Sequence, residues 1–241
     1  MNNQELAADA MAVVVIGKFD PLLVTPRWLR QKDLIGPEDY ESFETELISP
    51  KASVVQFGSI QLKVVPDALE VNTEAAHDAE AARDLAAGIL LSEASPSVSA
   101  LGINRTVHFP VAVERWHAIG DALTPKNVWE DVLHLPGMMN AGLMGARNDG
   151  YSGSVNVSVQ PSAAVRPGVF VSVNDHYTLT KVEPPTQRFD PSPPETNVQS
   201  SPEKVAIAAR ILSEGFSASR GRAQAIINRV GSLGDALGGN Q

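Results

Sequence analysis

The feature that most constrains the fold is a pattern of alternating apolar and polar residues that occurs twice. In residues 58–73, Ile60, Leu62 and Val64 alternate with polar side chains, and a short turn separates them from a second apolar run. The same order returns in residues 153–175, where three alternating valines precede a proline-containing turn and another valine run. A period of two is typical of a β-strand with one buried face. Each stretch is therefore predicted to form an antiparallel hairpin.

A second correspondence lies upstream of these hairpins. Arg27-Trp28 and Arg115-Trp116 each follow an apolar run and precede their hairpin. Two landmarks in the same order favour an internal duplication, although amphipathic hairpins can also resemble one another without a common origin. We interpret both arginine-tryptophan pairs as structural, with each tryptophan filling the space between a helix and the sheet.

The predicted fold class is α+β: two related β-α-β-β-α halves form an antiparallel sheet with helices packed on one face. The halves could share one sheet or fold as separate domains. A C-terminal helical extension follows a proline-rich linker. The predicted segments are a first half, the sheet part of a second half, the linker, and C-terminal helices with a disordered tail: residues 1–95, 96–181, 182–202 and 203–241.

Several elements are predicted from local patterns. Strands are expected over residues 12–19 and 98–113, and surface helical turns over 38–46. Thr73 is expected to cap a long helix that continues to about residue 91, because alanines recur there at helical spacing. Another helical segment is expected over residues 127–133, with Trp129 and Val132 pointing inward. Two C-terminal helices are expected, and Gly215 is expected to end the first.

Charge and composition narrow the function classes. The net charge of −9 opposes sequence-independent binding to nucleic acid, so no nucleic-acid partner is expected. Arg220, Arg222 and Arg229 are interpreted as a solvated helix face. The chain has no cysteine, which excludes disulfides and thiolate chemistry. The apolar run of residues 11–16 is too short for a signal peptide or a membrane span, so a cytoplasmic protein with no membrane contact is expected.

The sequence carries none of the common catalytic or phosphate-binding motifs. His77, Glu80 and Asp84 share one helix face at metal-ligand spacing, although an ordinary solvated face is the preferred interpretation. His176, directly after Asp175, could act as an acid or base, but a surface histidine is preferred. No catalytic residue, cofactor or metal ligand is assigned.

We therefore expect a non-enzymatic protein-protein interaction or assembly component of a bacterial or phage cytoplasm. It would bind a protein partner or a second copy of itself, with the C-terminal helices as the docking element. The alternative is a small-molecule binder or cofactor-free hydrolase with a site between the two halves. That site would be lined by residues 136–153, a loop rich in glycine and methionine, and by His108 or His176.

Overall fold

A computed structural model describes residues 5–92, 97–179 and 201–233. Within these residues, nine strands form one antiparallel sheet in the spatial order β2-β3-β4-β5-β1-β6-β9-β8-β7. The α+β class with a large antiparallel sheet is confirmed. The strands are β1 (Ala8–Lys18), β2 (Glu44–Ser49), β3 (Ala52–Phe57), β4 (Ile60–Val65), β5 (Ala68–Thr73), β6 (Ser97–Pro110), β7 (Ala141–Ala146), β8 (Gly153–Pro161) and β9 (Gly168–Tyr177).

The helices follow the strands in chain order. They are α1 (Pro26–Gln31), α2 (Pro37–Ser42), α3 (Ala79–Leu91), α4 (Val113–Leu123), α5 (Ser201–Arg210) and α6 (Phe216–Ser232). A single 3₁₀ turn, Ala76–Asp78, precedes α3, and a π-helical turn, Ile211–Gly215, joins α5 to α6. In the part of the chain that the structure describes, no helix is long and apolar enough to cross a membrane.

One face of the sheet carries the apolar core, and we call it the covered face. On β1, Met11, Val13 and Val15 are buried while the residues between them are more exposed, as the alternation requires. Small alanines such as Ala82 and Ala86 let α3 lie close to these strands. Burial of a valine or leucine side chain contributes about 1.5–3 kcal/mol.

The C-terminal helices pack on this same face. Ile211, Leu212 and Phe216 join the core formed by β1, β5 and α3, while Ile227 and Val230 join a second cluster with β6, β8 and β9. The apolar side of α5 and α6 is thus buried within this chain.

Both hairpins predicted from alternation are confirmed, as β4-β5 and β8-β9. The helix expected to begin at Thr73 begins instead at Ala79. Thr73 ends β5, and its hydroxyl accepts a hydrogen bond from the Ala75 N–H at 3.0 Å, which is turn chemistry and not helix capping. The helical turns expected over residues 38–46 end at Ser42, because β2 begins at Glu44 and pairs with β3.

Three further expectations are wrong. Residues 127–133 form turns and no helix, and their Trp129 and Val132 side chains are 49% and 68% exposed. The presumed loop at residues 136–153 contains the strand β7. Gly215 does not end the C-terminal helix, since the π-helical turn carries the chain into α6.

The predicted boundary near residue 95 and the disordered tail lie outside the described residues. The linker predicted over residues 182–202 also lies outside them except for its end, where Ser201 begins α5.

Candidate functional site

The face of the sheet opposite the core carries a row of carboxamide side chains, and we call this the open face. Strand register places one residue from each of seven neighbouring strands in this row, with Ala12 of β1 at its centre. We name the six carboxamides the amide row: Gln56, Gln61, Asn72, Asn104, Asn174 and Asn156.

A cavity of about 940 Å³ lies over this row and crosses the central pair β1 and β6. Ala10 and Ala12 contribute small side chains, which leaves space above β1. The lining includes the carboxylates Glu70 and Glu74, but no lysine, arginine or histidine. None of the described helices contributes a residue to the lining. The cavity therefore combines many hydrogen-bonding groups with a negative charge.

The amide donors on the β5 side of the cavity are already used within the protein. Gln56 Nε2 donates to the Gly58 carbonyl at 2.7 Å. Gln61 Nε2 donates to Glu46 at 3.1 Å. Asn72 Nδ2 lies 3.4 Å from acceptors on both Gln61 and Glu70. These bonds fix the three side chains and leave acceptor atoms in excess.

Two carboxamide oxygens at the other end of the cavity accept no hydrogen bond. Asn104 Oδ1 and Asn174 Oδ1 are buried, and neither has a partner among the described residues. The two residues lie opposite each other on β6 and β9. A buried acceptor without a donor costs about 1–3 kcal/mol. A ligand that donates hydrogen bonds to these two oxygens would remove that cost.

A buried ionic cluster fastens the end of β7 to the rest of the fold, and we call it the anchor. The Arg147 side chain, 1% exposed, donates to Asp175 on β9 and to Asp149. Arg222 of α6 completes the cluster, with Nε 3.2 Å from Asp175 Oδ2. The Arg147 guanidinium lies 3.5 Å from the ring centre of Tyr177.

Electrostatics within the anchor follow from burial and pairing. Burial, followed by the nearby Asp175 charge, raises the pKa of Tyr177 to about 12. For Asp149, burial alone would raise the pKa, but the hydrogen bond and charge of Arg147 outweigh it and lower the pKa. Charge pairing likewise outweighs burial for Arg147, and its pKa is raised. At neutral pH Arg147 and Asp149 are therefore charged and the Tyr177 hydroxyl is protonated.

The histidine and acidic residues singled out on the α3 face do not converge. His77 lies 3.4 Å from Asp78, Glu80 lies 3.5 Å from Arg220, and Asp84 pairs with the arginine before it. Among residues 5–92, 97–179 and 201–233, no group of three potential ligands is arranged to hold a metal ion.

His108 lies on the open face near the end of β6. Its Nδ1 is 2.8 Å from Ser162 Oγ, and its ring packs at 4.8 Å on Phe170. The Ser162 hydroxyl is buried and also accepts the N–H groups of Ala164 and Val165. This arrangement fits a turn cap better than an exposed nucleophile. No local sequence pattern indicates Ser162, because its partner His108 lies 54 residues away in the chain.

His176 also lies on the open face. Burial, and then the Arg147 charge, lower the pKa of His176 from its usual value, so the ring is neutral near pH 7. Residues 136–153 lie at the β7 edge and line no part of the cavity at the centre of the sheet.

The two tryptophans of the arginine-tryptophan pairs lie beside the core. Trp28 packs against the first cluster, and Trp116 donates from Nε1 to the Gly168 carbonyl at 3.1 Å. Arg115 donates to the carbonyl of Gly231, near the end of α6. These contacts suit side chains that join helices to the sheet.

A second candidate surface lies at the β7 end of the sheet. Among the described residues, sixteen large apolar side chains are exposed, and eight of them fall in residues 128–144. We call this segment the apolar edge. Its exposed members are Val128, Trp129, Val132, Leu133, Leu135, Met139, Leu143 and Met144.

The sequence matches no model of a known protein family, and a search of curated protein sequences gives no significant match.

Proposed function

We propose that the protein is a non-enzymatic assembly component that binds a second copy of itself through β7. The observation that carries this proposal is that β7, whose outer side pairs with no described strand, belongs to the apolar edge of residues 128–144. A concentration of exposed apolar side chains is typical of a protein-protein interface. The cytoplasmic location of a bacterial or phage protein remains part of the proposal, and the lack of cysteine supports it.

The edge strand β7 is suited to pairing with another strand. Among the described residues it ends the sheet: one side of its backbone pairs with β8, and no described strand pairs with the N–H and C=O groups of its other side. Its sequence, AGLMGA, has no charged residue. Leu143 and Met144, on opposite faces of the strand, are 60% and 51% exposed. Nothing in β7 itself opposes strand addition.

A second copy is the occupant that the charge pattern favours. In a two-fold antiparallel pair of identical strands, a residue on the axis faces its own copy and the residues beside it face one another, so a charge at the axis would face a like charge. The uncharged β7 avoids that repulsion in a chain of net charge −9. A stable interface buries about 1,200–2,000 Å², more than six residues supply, and the exposed side chains of residues 128–139 would provide the remainder.

An internal duplication of the chain is part of the same proposal. Outward from β1 the strands run β5, β4, β3, and outward from β6 they run β9, β8, β7. In each half a short helix with an arginine-tryptophan pair follows the central strand. The same order of elements on both sides supports two related β-α-β-β-α halves joined through β1 and β6.

The test of self-association compares two leucines on opposite edges. Leu143→Lys on β7 should convert a dimer to a monomer in sedimentation equilibrium, because the two lysines would meet at the interface. Leu47→Lys on β2, where Leu47 is similarly exposed, should leave the dimer intact. A purified chain that is monomeric at every concentration tested, or a dimer that only the β2 variant disrupts, would contradict the proposal.

Binding of a small ligand between the halves is a second candidate function. The observation that favours it is the cavity over β1 and β6, at the proposed junction. Its lining differs from the expected one, since it contains neither His108 nor His176. The hydrolase version of this alternative gains no support from the buried, doubly bonded Ser162 hydroxyl.

A further inference from the structure

We propose that the cavity on the open face binds a linear aliphatic amine, whose ammonium group donates hydrogen bonds to carboxamide oxygens of the amide row. This site is separate from the β7 edge and does not depend on self-association. Its volume, about 940 Å³, lies within the range of small-molecule sites, roughly 300–1,000 Å³.

The sign of the charge selects the class of ligand. Glu70 and Glu74 line the cavity, and no cationic side chain does. Lys63 lies opposite Glu70 on β4 but outside the lining. Phosphate, sulfate and carboxylate ligands would meet two carboxylates without a counter-charge. A cation meets favourable charge.

The hydrogen-bonding pattern selects a donor. The NH₂ groups of Gln56, Gln61 and Asn72 each donate at least one hydrogen bond within the protein. Each carboxamide oxygen has two lone pairs, and Gln61 Oε1 still has one after it accepts from Asn72, so acceptor capacity remains. Asn104 and Asn174 add two oxygens without donors. An ammonium group offers three N–H donors and no acceptor, which complements such a lining.

The space beside Gly102 allows the two buried carboxamide oxygens to contribute to amine binding. Asn104 Oδ1 and Asn174 Oδ1 lie 3.5 and 3.9 Å from the point where a Cβ atom on Gly102 would be, so they share one space. Asn104 Nδ2 lies 3.8 Å from the same point, so a half-turn of the Asn174 carboxamide would place an NH₂ group beside Asn104 Oδ1. Both residues line the cavity, so the oxygen of Asn174 would then be the acceptor offered to the ligand. One buried acceptor is satisfied internally and the other by the amine.

The experiment is isothermal titration calorimetry of the full chain with spermidine. We expect saturable binding at one site. The Asn104→Leu/Asn174→Leu double variant keeps the net charge, so general attraction to an acidic protein is unchanged, and its affinity should fall by about tenfold or more. Equal affinity of the double variant and the wild type would overturn the proposal, as would the absence of saturable heat.

Gly102→Ala is a second variant that should leave the fold intact. Its added methyl group meets only the two carboxamides, at ordinary contact distances, and occupies the space they share. It should also weaken spermidine binding. Gly145→Ala on β7, where the new methyl group would lie 4.0 Å from its nearest neighbour, is the matched control and should bind normally. Equal binding by the two alanine variants would overturn the assigned geometry.

Two further ligands define the chemical class. An aliphatic diol of the same chain length as spermidine should give no saturable heat, because it lacks the charge. A short blocked lysine peptide should bind more weakly than spermidine if the site takes a free amine. A diol that binds equally well would overturn the charge argument, and a tighter peptide would overturn the free amine as ligand.

Discussion

The sheet ends in β2 on one side and in β7 on the other, and the two edge strands differ in charge and in regularity. Glu44 and Glu46 of β2 are exposed carboxylates, and the register of β2 shifts between Thr45 and Leu47. Both features oppose the addition of another strand. The strand β7 has neither: it is uncharged and pairs with β8 without a register shift.

This difference predicts at which edge of the sheet a further strand can be added. An edge that carries carboxylates and an irregular register is protected, whereas an edge that is flat and apolar is open to a partner. With one open edge per chain, antiparallel self-pairing ends at a dimer, because the outer edges of the dimer are both β2.

The largest effect should come from removing the protection of β2. In the Glu44→Thr/Glu46→Thr variant both sheet edges lack charge, and only the register shift still opposes strand addition at β2. If the carboxylates are the main protection, each copy can then pair on two sides and form open-ended assemblies. Light scattering and sedimentation velocity should show species larger than a dimer. Glu38→Gln/Glu41→Gln on α2 removes the same charge away from the edge and should remain dimeric. A β2 variant that stays dimeric would contradict the role of these carboxylates.

The anchor that fastens β7 should account for a large share of stability. Asp175→Asn leaves the buried Arg147 without one of its carboxylates, and loss of one partner of a buried pair costs about 3–5 kcal/mol. Urea unfolding measured at low protein concentration tests this. Asp33→Asn is the control, because the exposed pair of Asp33 with Arg30 contributes about 0–1 kcal/mol. Similar decreases in the free energy of unfolding for the two variants would contradict a large contribution of the anchor to stability.

Trp129 should matter for assembly and not for folding. Its side chain is half exposed in the apolar edge, and truncation of an aromatic side chain in an interface costs about 2 kcal/mol when the residue is central. Trp129→Ser should weaken dimerisation by about thirtyfold with little change in the free energy of unfolding. Leu22→Ser, equally exposed but outside the edge, should change neither quantity. A lower free energy of unfolding for monomeric Trp129→Ser would instead indicate that the Trp129 side chain contributes to the core.

The smallest effect is expected at alkaline pH, in the anchor beside β7. The pKa of Tyr177 is raised to about 12 in the folded protein, above the value near 10 expected when unfolded. Its contribution to stability is therefore complete below pH 10 and is lost as the pH rises from about 10 to 12. An absorbance titration should show one of the three tyrosines ionising late. Loss of the late step in Tyr177→Phe identifies it, whereas three simultaneous ionisations would contradict the burial argument.

The sequence predicted the elements whose signal is local. The alternation in residues 58–73 and 153–175 specified two hairpins, because side chains on a strand must alternate between faces. The same reasoning failed for residues 127–133, since apolar residues at helical spacing predict a buried helix only if the core has room for them. Trp129 and Val132 lie outside that core.

The candidate sites depend on contacts between distant parts of the chain. Arg147 meets Asp175 across 28 residues, and Asn104 meets Asn174 across the β6-β9 register. No local pattern specifies which residues of two remote strands become neighbours. The amide row could have been anticipated only if the strand order had been known, because each strand contributes a single member.

The most direct test of self-association uses the absence of cysteine from the chain. A single Leu143→Cys substitution places one thiol near the middle of each β7, and residues directly opposite each other in an antiparallel pair lie about 4.5–5.5 Å apart between Cα atoms. We propose that the two-fold axis passes at Leu143, so that the two thiols face each other. Mild oxidation should give a disulfide-linked dimer of Leu143→Cys, while Leu47→Cys on β2 stays monomeric in denaturing electrophoresis. Equal crosslinking of both variants, or of neither, would contradict pairing through β7.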